Sequence, residues 1–123
     1  MQADELARNS VVDLPDLLAR VEYDRELLRE LFLIFNREFP PLQTELKQAV
    51  EQGDLDRVRT IAHSLKGMLA SLSCSTASSS AQRIERMASQ PAPEGIPEEL
   101  IRLDRDARLA QSALETVCQE ALP

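Results

Sequence analysis

The chain has 123 residues, 43% of them apolar and 28% charged, which suits one folded domain with its own core and excludes a disordered chain or a pair of domains. Its net charge of −7 argues against nucleic acid and against an anionic membrane surface, since both demand clustered Lys and Arg. With a single His, and with Cys74 and Cys118 far apart, no ligand set for a structural zinc exists, and two reduced cysteines packed in helices are expected.

Gly is scarce, Trp is absent, and Leu, Ala, Glu, Gln and Arg abound, a mixture of good helix formers that points to an all-α domain. No apolar run approaches the ~20 residues that span a bilayer. The start, Met1-Gln2-Ala3-Asp4-Glu5, is acidic and lacks the basic opening and apolar stretch of a signal peptide, so a cytoplasmic protein is expected.

Residues 1–12 are polar and without periodicity, and read as a flexible N-terminal tail or linker remnant ahead of a helical bundle over 13–123. Asp13-Leu14-Pro15-Asp16 opens a short helix carrying Leu14, Leu17, Leu18 and Val21, with Asp13 as cap and Pro15 in the first turn. Asp24 caps a long second helix. One stripe of it runs through Leu27, Leu31, Ile34, Phe35, Leu42, Leu46 and Ala49, and another through Leu28, Phe32 and Phe39, so cover on more than one side is expected. Pro40-Pro41 predicts a kink or break within it. Gly53 stops this helix and Asp54 caps the next.

The third helix buries Leu55, Val58, Ile61, Ala62, Leu65, Met68, Leu69 and Leu72 on one face. The small-residue run Ser71–Ser80 has poor helix propensity and contains a turn. A fourth helix carrying Ala77, Ala81, Ile84 and Met87 follows to about Ala88. After the loop Gln90-Pro91-Ala92-Pro93-Glu94-Gly95, Pro97-Glu98-Glu99 opens a last helix with Leu100, Leu103, Ala107, Ala110, Leu114 and Val117 on its stripe. The expected fold is an antiparallel four-helix bundle with a short additional N-terminal helix.

At ~100° per residue, His63 lies about 160° from Leu65, the centre of the third helix's buried face. It therefore faces outward, sharing its side with Asp56, Arg59, Gly67 and Ala70, with Lys66 at the margin. A neutral imidazole is a good nucleophile near pH 7 and can take a phosphoryl group and give it back. Lys66, one turn on, can offset charge on phosphoryl oxygens, and Gly67 leaves room for another protein's active site. Taken singly, each has an ordinary reading: a solvated His, a solvated Lys, a packing accident at Gly67.

The run Ala62-His63-Ser64-Leu65-Lys66-Gly67 resembles the signature of histidine phosphotransfer (HPt) domains. Leu17-Leu18-Ala19-Arg20-Val21, Asp24, Leu27-Leu28, Phe35, Pro41, Leu42, Leu46, Ala49, Gly53-Asp54 and Ile84-Glu85 extend the likeness over about residues 13 to 89. The resemblance implies a four-helix bundle with His63 as phosphoacceptor, Lys66 as its charge partner and Gly67 as the clearance position. Arg59, Ser64 and Ala70 are further candidates for partner contacts. Such domains relay a phosphoryl group between aspartates of receiver domains, among them the receiver of a hybrid sensor histidine kinase. They are carriers rather than enzymes, with no cofactor of their own, the Mg²⁺ coming from the receiver. No Gly-rich phosphate loop or kinase domain is present in the sequence.

The sequence departs from the family in two ways. Ser73 stands where a Gly is common in the turn to the next helix, and Ala77 and Ser80 stand where larger apolar residues are usual, so a less firmly packed corner with a slightly shifted helix start is expected. Two other readings remain beside the carrier: a binding module that kept the fold and lost the transfer, and a structural bundle without a ligand. One site on one bundle needs no dimer, so a monomer is expected, with an excised domain of a larger protein favoured slightly over a free-standing one.

Overall fold

Aspartates open three of the helices in the computed structural model, which describes residues 11–119. The Oδ1 atoms of Asp13, Asp24 and Asp54 accept hydrogen bonds from the amides of Asp16, Leu27 and Arg57 at 3.2, 3.1 and 3.2 Å, giving otherwise unpaired N–H groups their acceptors. The helices are α1 (Leu14–Arg20), α2 (Arg25–Gln52), α3 (Leu55–Ser71), α4 (Ser75–Ala88) and α5 (Ile96–Gln119), with no strand among the described residues. Gly53 ends α2 in the left-handed region at φ 70°, which suits a residue without Cβ.

Helix α2 packs on α3 and α5, and α4 packs on α3 and α5, which closes a four-helix bundle of consecutive antiparallel helices with α1 as the short addition. Val58, Ile61, Ala62, Leu65 and Leu69 of α3 face Leu28, Phe35, Phe39, Leu46 and Ala49 of α2, Ala77, Ala81 and Ile84 of α4, and the expected stripe of α5 across a continuous core. No helix among the described residues is long and apolar enough to cross a membrane. Cys74 and Cys118 are free, and burial pushes the Cys74 thiol up to about 12.

Several expectations are corrected. Val12 is buried in the core and the Asp13 amide donates to the Ser73 carbonyl at 2.9 Å, so the packed part of the chain begins before residue 13. Residues 1–10 of the expected tail, and 120–123, lie outside the described residues. Of the kink or break expected at Pro40-Pro41, the break does not occur, since α2 runs continuously through both. An interior proline costs roughly 3 kcal/mol, whereas burying a Phe or Leu side chain contributes roughly 1.5–3 kcal/mol, and Phe35, Phe39 and Leu46 are buried on either side of the pair. The carbonyls left without an amide belong to Asn36 and Arg37, both exposed to water.

The stripe of α2 that starts at Leu27 is only partly covered, as is Phe32 on the stripe beside it. Leu27 and Ile34 are exposed and Leu31 and Phe32 half-buried, because the bundle flanks α2 only on the side of Leu28, Phe35 and Phe39. In α3, Met68 is likewise half-buried at the edge of the face. The turn in the small-residue run is confined to Leu72, Ser73 and Cys74, and Ser75–Ser80 are helical.

The corner formed by the two family departures is firmly packed. Ser73 adopts φ 58°, a region that favours glycine. Its hydroxyl donates to Asp16 Oδ2 at 2.7 Å while its carbonyl accepts from Asp13, tying α1 to the α3–α4 turn. That hydroxyl, with Arg20 beside it, holds the Asp16 carboxyl below its usual range. Ser80 is fully buried and donates to Asp106 Oδ2 at 3.1 Å while accepting from Arg83 Nη2 at 3.1 Å. Arg83 in turn pairs with Glu99, which Arg102 also reaches at 3.3 Å, while Asp106 gains Arg105 at 3.3 Å. Hydrogen bonds thus replace apolar bulk at this corner, and the buried charges are paired as burial requires.

Replacing Ser80 by Ala leaves Asp106 and Arg83 short of a partner and is expected to cost about 1–3 kcal/mol, read as a lower urea midpoint at unchanged slope. The exposed Ser79→Ala is expected to stay within about 0.5 kcal/mol of wild type, and equal midpoints for the two variants would show that the buried network contributes nothing.

Candidate functional site

Because Leu65 and Leu69 point into the core, the opposite side of α3 is left to His63, Gly67 and Ala70, all exposed. The His63 side chain is 70% exposed. Its Nδ1 lies 2.8 Å from Glu85 Oε2, a carboxylate carried by α4. Lys66 Nζ, one turn along α3, lies 2.9 Å from the other oxygen, Oε1. One carboxylate therefore holds both side chains. The Lys66 ammonium, with the His63 hydrogen bond adding to it, keeps the Glu85 carboxyl below the usual carboxylate range against the opposing effect of partial burial.

An ionised carboxylate only accepts hydrogen bonds, so the proton between the two groups sits on His63 Nδ1. The neutral ring then carries its free lone pair on Nε2, which makes no hydrogen bond with a described residue. Any cation formed by attack from Nε2 is stabilised by the carboxylate at the far nitrogen, as a charge-assisted hydrogen bond. The arrangement is that of an oriented nucleophile.

A groove of about 460 Å³ runs beside the ring, between Arg59, Thr60, His63 and Ser64 of α3 and Glu85 and Arg86 of α4 with Ser89 at its C-terminal cap. Arg59 lines it with its guanidinium on Asp56 at 3.2 Å. The Ser64 hydroxyl donates to the Thr60 carbonyl of its own helix at 3.3 Å. Ala70 belongs to a second groove, of about 240 Å³, shared with Asp13, Asp16, Arg20 and Ser73 nearer to α1. Arg59 and Ser64 are therefore grouped with His63, whereas Ala70 is not.

Gly67 is open. A Cβ added there would meet nothing within 4 Å, so no described neighbour requires a glycine at this position. Among the described residues no group of three or more His, Cys, Asp or Glu is placed to hold a metal ion.

Glu85 is the residue whose role sequence reasoning missed. It is the only carboxylate on α4 and follows Ile84, a core position, so a helix-edge location facing a neighbour was legible. Its partners were not, since they lie on another helix. Arg86 and Ser89 join the site by the same tertiary route, whereas Thr60 lies one turn before His63 on α3 itself.

Compared with known families, the chain matches the Hpt domain over residues 30–121, well over half its length, including all of α3, α4 and α5. Searches among curated proteins and among solved structures returned no match. The match spans the helix that presents His63 and the helix that supplies Glu85, and the bundle built from them is all-α. The chain belongs to the Hpt domain family, whose members carry phosphoryl groups on histidine in phosphorelays.

Proposed function

We propose that His63 is the phosphoacceptor, taking a phosphoryl group on Nε2 from the aspartyl phosphate of one receiver domain and passing it to an aspartate of another. The observation that carries this reading is the 2.8 Å contact between His63 Nδ1 and Glu85 on an otherwise exposed ring. In the forward step a bond forms between Nε2 and phosphorus as the acyl-phosphate P–O bond breaks, and the donor leaves as a carboxylate. The ring gains positive charge at that moment, and the Nδ1 proton remains on the hydrogen bond to Glu85. The reverse step restores the neutral ring.

Lys66 balances Glu85 in the resting domain and is within reach to share its charge with the phosphoryl oxygens once they arrive. Gly67, one turn from His63, supports the same reading. Glycine costs a helix interior about 0.5–1 kcal/mol relative to alanine, and nothing within the domain compensates, so the advantage lies with an approaching partner. In this reading the domain acts as a monomeric carrier rather than an enzyme. The magnesium ion used in transfer is held by the receiver, and one receiver belongs to a hybrid sensor histidine kinase.

The test is incubation with a phosphorylated receiver and Mg²⁺, followed on a phosphate-affinity gel. Wild type is expected to gain an acid-labile, base-stable label and His63→Gln none, with helicity unchanged because the position is exposed. Absence of label with several receivers would favour the binding module instead. Glu85→Ala is expected to slow transfer about 10–100-fold, the worth of a charged hydrogen bond, with Glu85→Gln between it and wild type. A wild-type rate in Glu85→Ala would remove the orienting role.

Gly67 separates stability from function. Gly67→Ala is expected to raise stability by about 0.5–1 kcal/mol in urea unfolding. Gly67→Leu is expected to slow transfer without unfolding the domain, and normal transfer in that variant would end the clearance argument.

A further inference from the structure

Three cations stand around His63, and they are not equally available. Lys66 is held by Glu85 at 2.9 Å and Arg59 by Asp56 at 3.2 Å. Arg86, on the α4 wall of the groove beside the ring, makes no side-chain hydrogen bond or ion pair with any described residue. The chain as a whole carries a net charge of −7, and Glu85 places a further carboxylate against the nucleophile itself. A donor whose phosphoryl group sits on an aspartate brings a dianion, and a Mg²⁺ site beside it brings the carboxylates that hold the ion. Such a partner is repelled by the net charge of the chain. The attraction that overcomes this must be local, and Arg86 is the groove cation not already neutralised by a carboxylate of the chain.

We propose that Arg86 is a docking residue for the receiver: its guanidinium receives the acidic rim of the receiver's active site and draws the aspartyl phosphate toward Nε2 of His63. The inference rests on the phosphocarrier reading above and adds to it the residue that recognises the partner's charge. A guanidinium presents a planar fork of donors to a carboxylate, which an ammonium cannot match. The last turn of α4 also favours a cation through the helix dipole, so a purely structural role for Arg86 has to be separated from docking.

The full chain is assayed for initial transfer rate against phosphorylated receiver concentration, at low and at high salt, with melting temperatures in parallel. Arg86→Ala, Arg86→Glu and Arg86→Lys are compared with Arg108→Ala, which removes the same charge from the α2–α5 groove on the opposite edge of the bundle. At low salt the half-saturating receiver concentration is expected to rise about threefold in Arg86→Ala and about tenfold in Arg86→Glu, with Arg86→Lys between wild type and Arg86→Ala. The saturating rate is expected to change less than about twofold, and the difference in half-saturation to shrink at high salt as the charges are screened.

Equal half-saturation in Arg86→Ala and Arg108→Ala would overturn the assignment. So would a fall in saturating rate at unchanged half-saturation, which would place Arg86 on the phosphoryl group, or an effect that follows melting temperature and ignores salt. A wild-type protein that takes no label from any receiver removes the carrier reading and this inference with it. A labelled wild type with indifferent Arg86 variants removes this inference alone.

Discussion

Glu85 can hold His63 and Lys66 together only because α4 lies close against α3, and small side chains set that distance. Ala62 of α3 and Ala77 and Ala81 of α4 are buried in the core that the two helices share, and the Ser78 hydroxyl of α4 reaches the Lys66 carbonyl at 3.1 Å. Larger residues there would push the helices apart, and a carboxylate on two methylenes would no longer reach a ring nitrogen and an ammonium one turn apart. The histidine would then lose the partner that selects its tautomer, and Lys66 the acceptor that positions its charge. An apolar packing matter thereby decides the electrostatics of an exposed site.

The same small residues leave α4 short of hydrophobic bulk, and the structure makes up for it with charge. Glu99 and Asp106 of α5 are buried acids, tolerated because Arg83, Ser80, Arg102 and Arg105 give them partners. At the near end of α4, Ser73 takes a backbone conformation in which glycine is common, and its hydroxyl gains Asp16. A glycine would relieve the backbone and forfeit that bond to α1. Both departures from the usual family pattern are therefore matched by polar contacts that glycine or leucine could not make.

Stability and chemistry occupy opposite faces of α3. The core residues of that helix are buried, whereas His63, Ser64, Gly67 and Ala70 are exposed and contribute little to packing. The outer face is accordingly free to be shaped by what approaches it. Its cost in helix propensity at Gly67 is borne by a core that runs the whole length of the bundle.

The caps at Asp13, Asp24 and Asp54, the stop at Gly53, the helices α1 to α5 and the outward direction of His63 were all legible in the sequence. Each depends on residues a few positions apart, where helix geometry alone relates them. The unbroken α2 was not legible, because the local cost of Pro40-Pro41 is outweighed by burial of Phe39 and Leu46 against other helices. Nor was the extent of cover on α2, since whether Leu27 and Ile34 are buried depends on where neighbours stop rather than on their own spacing. The sequence by itself determined the fold class and the outward face that carries His63, which are properties of short-range pattern. Only the tertiary structure decided which nitrogen of His63 is free, where Lys66 points and which cation of the His63 groove has no partner among the described residues, because Glu85 and Arg86 meet α3 across a helix contact that no spacing along the chain encodes.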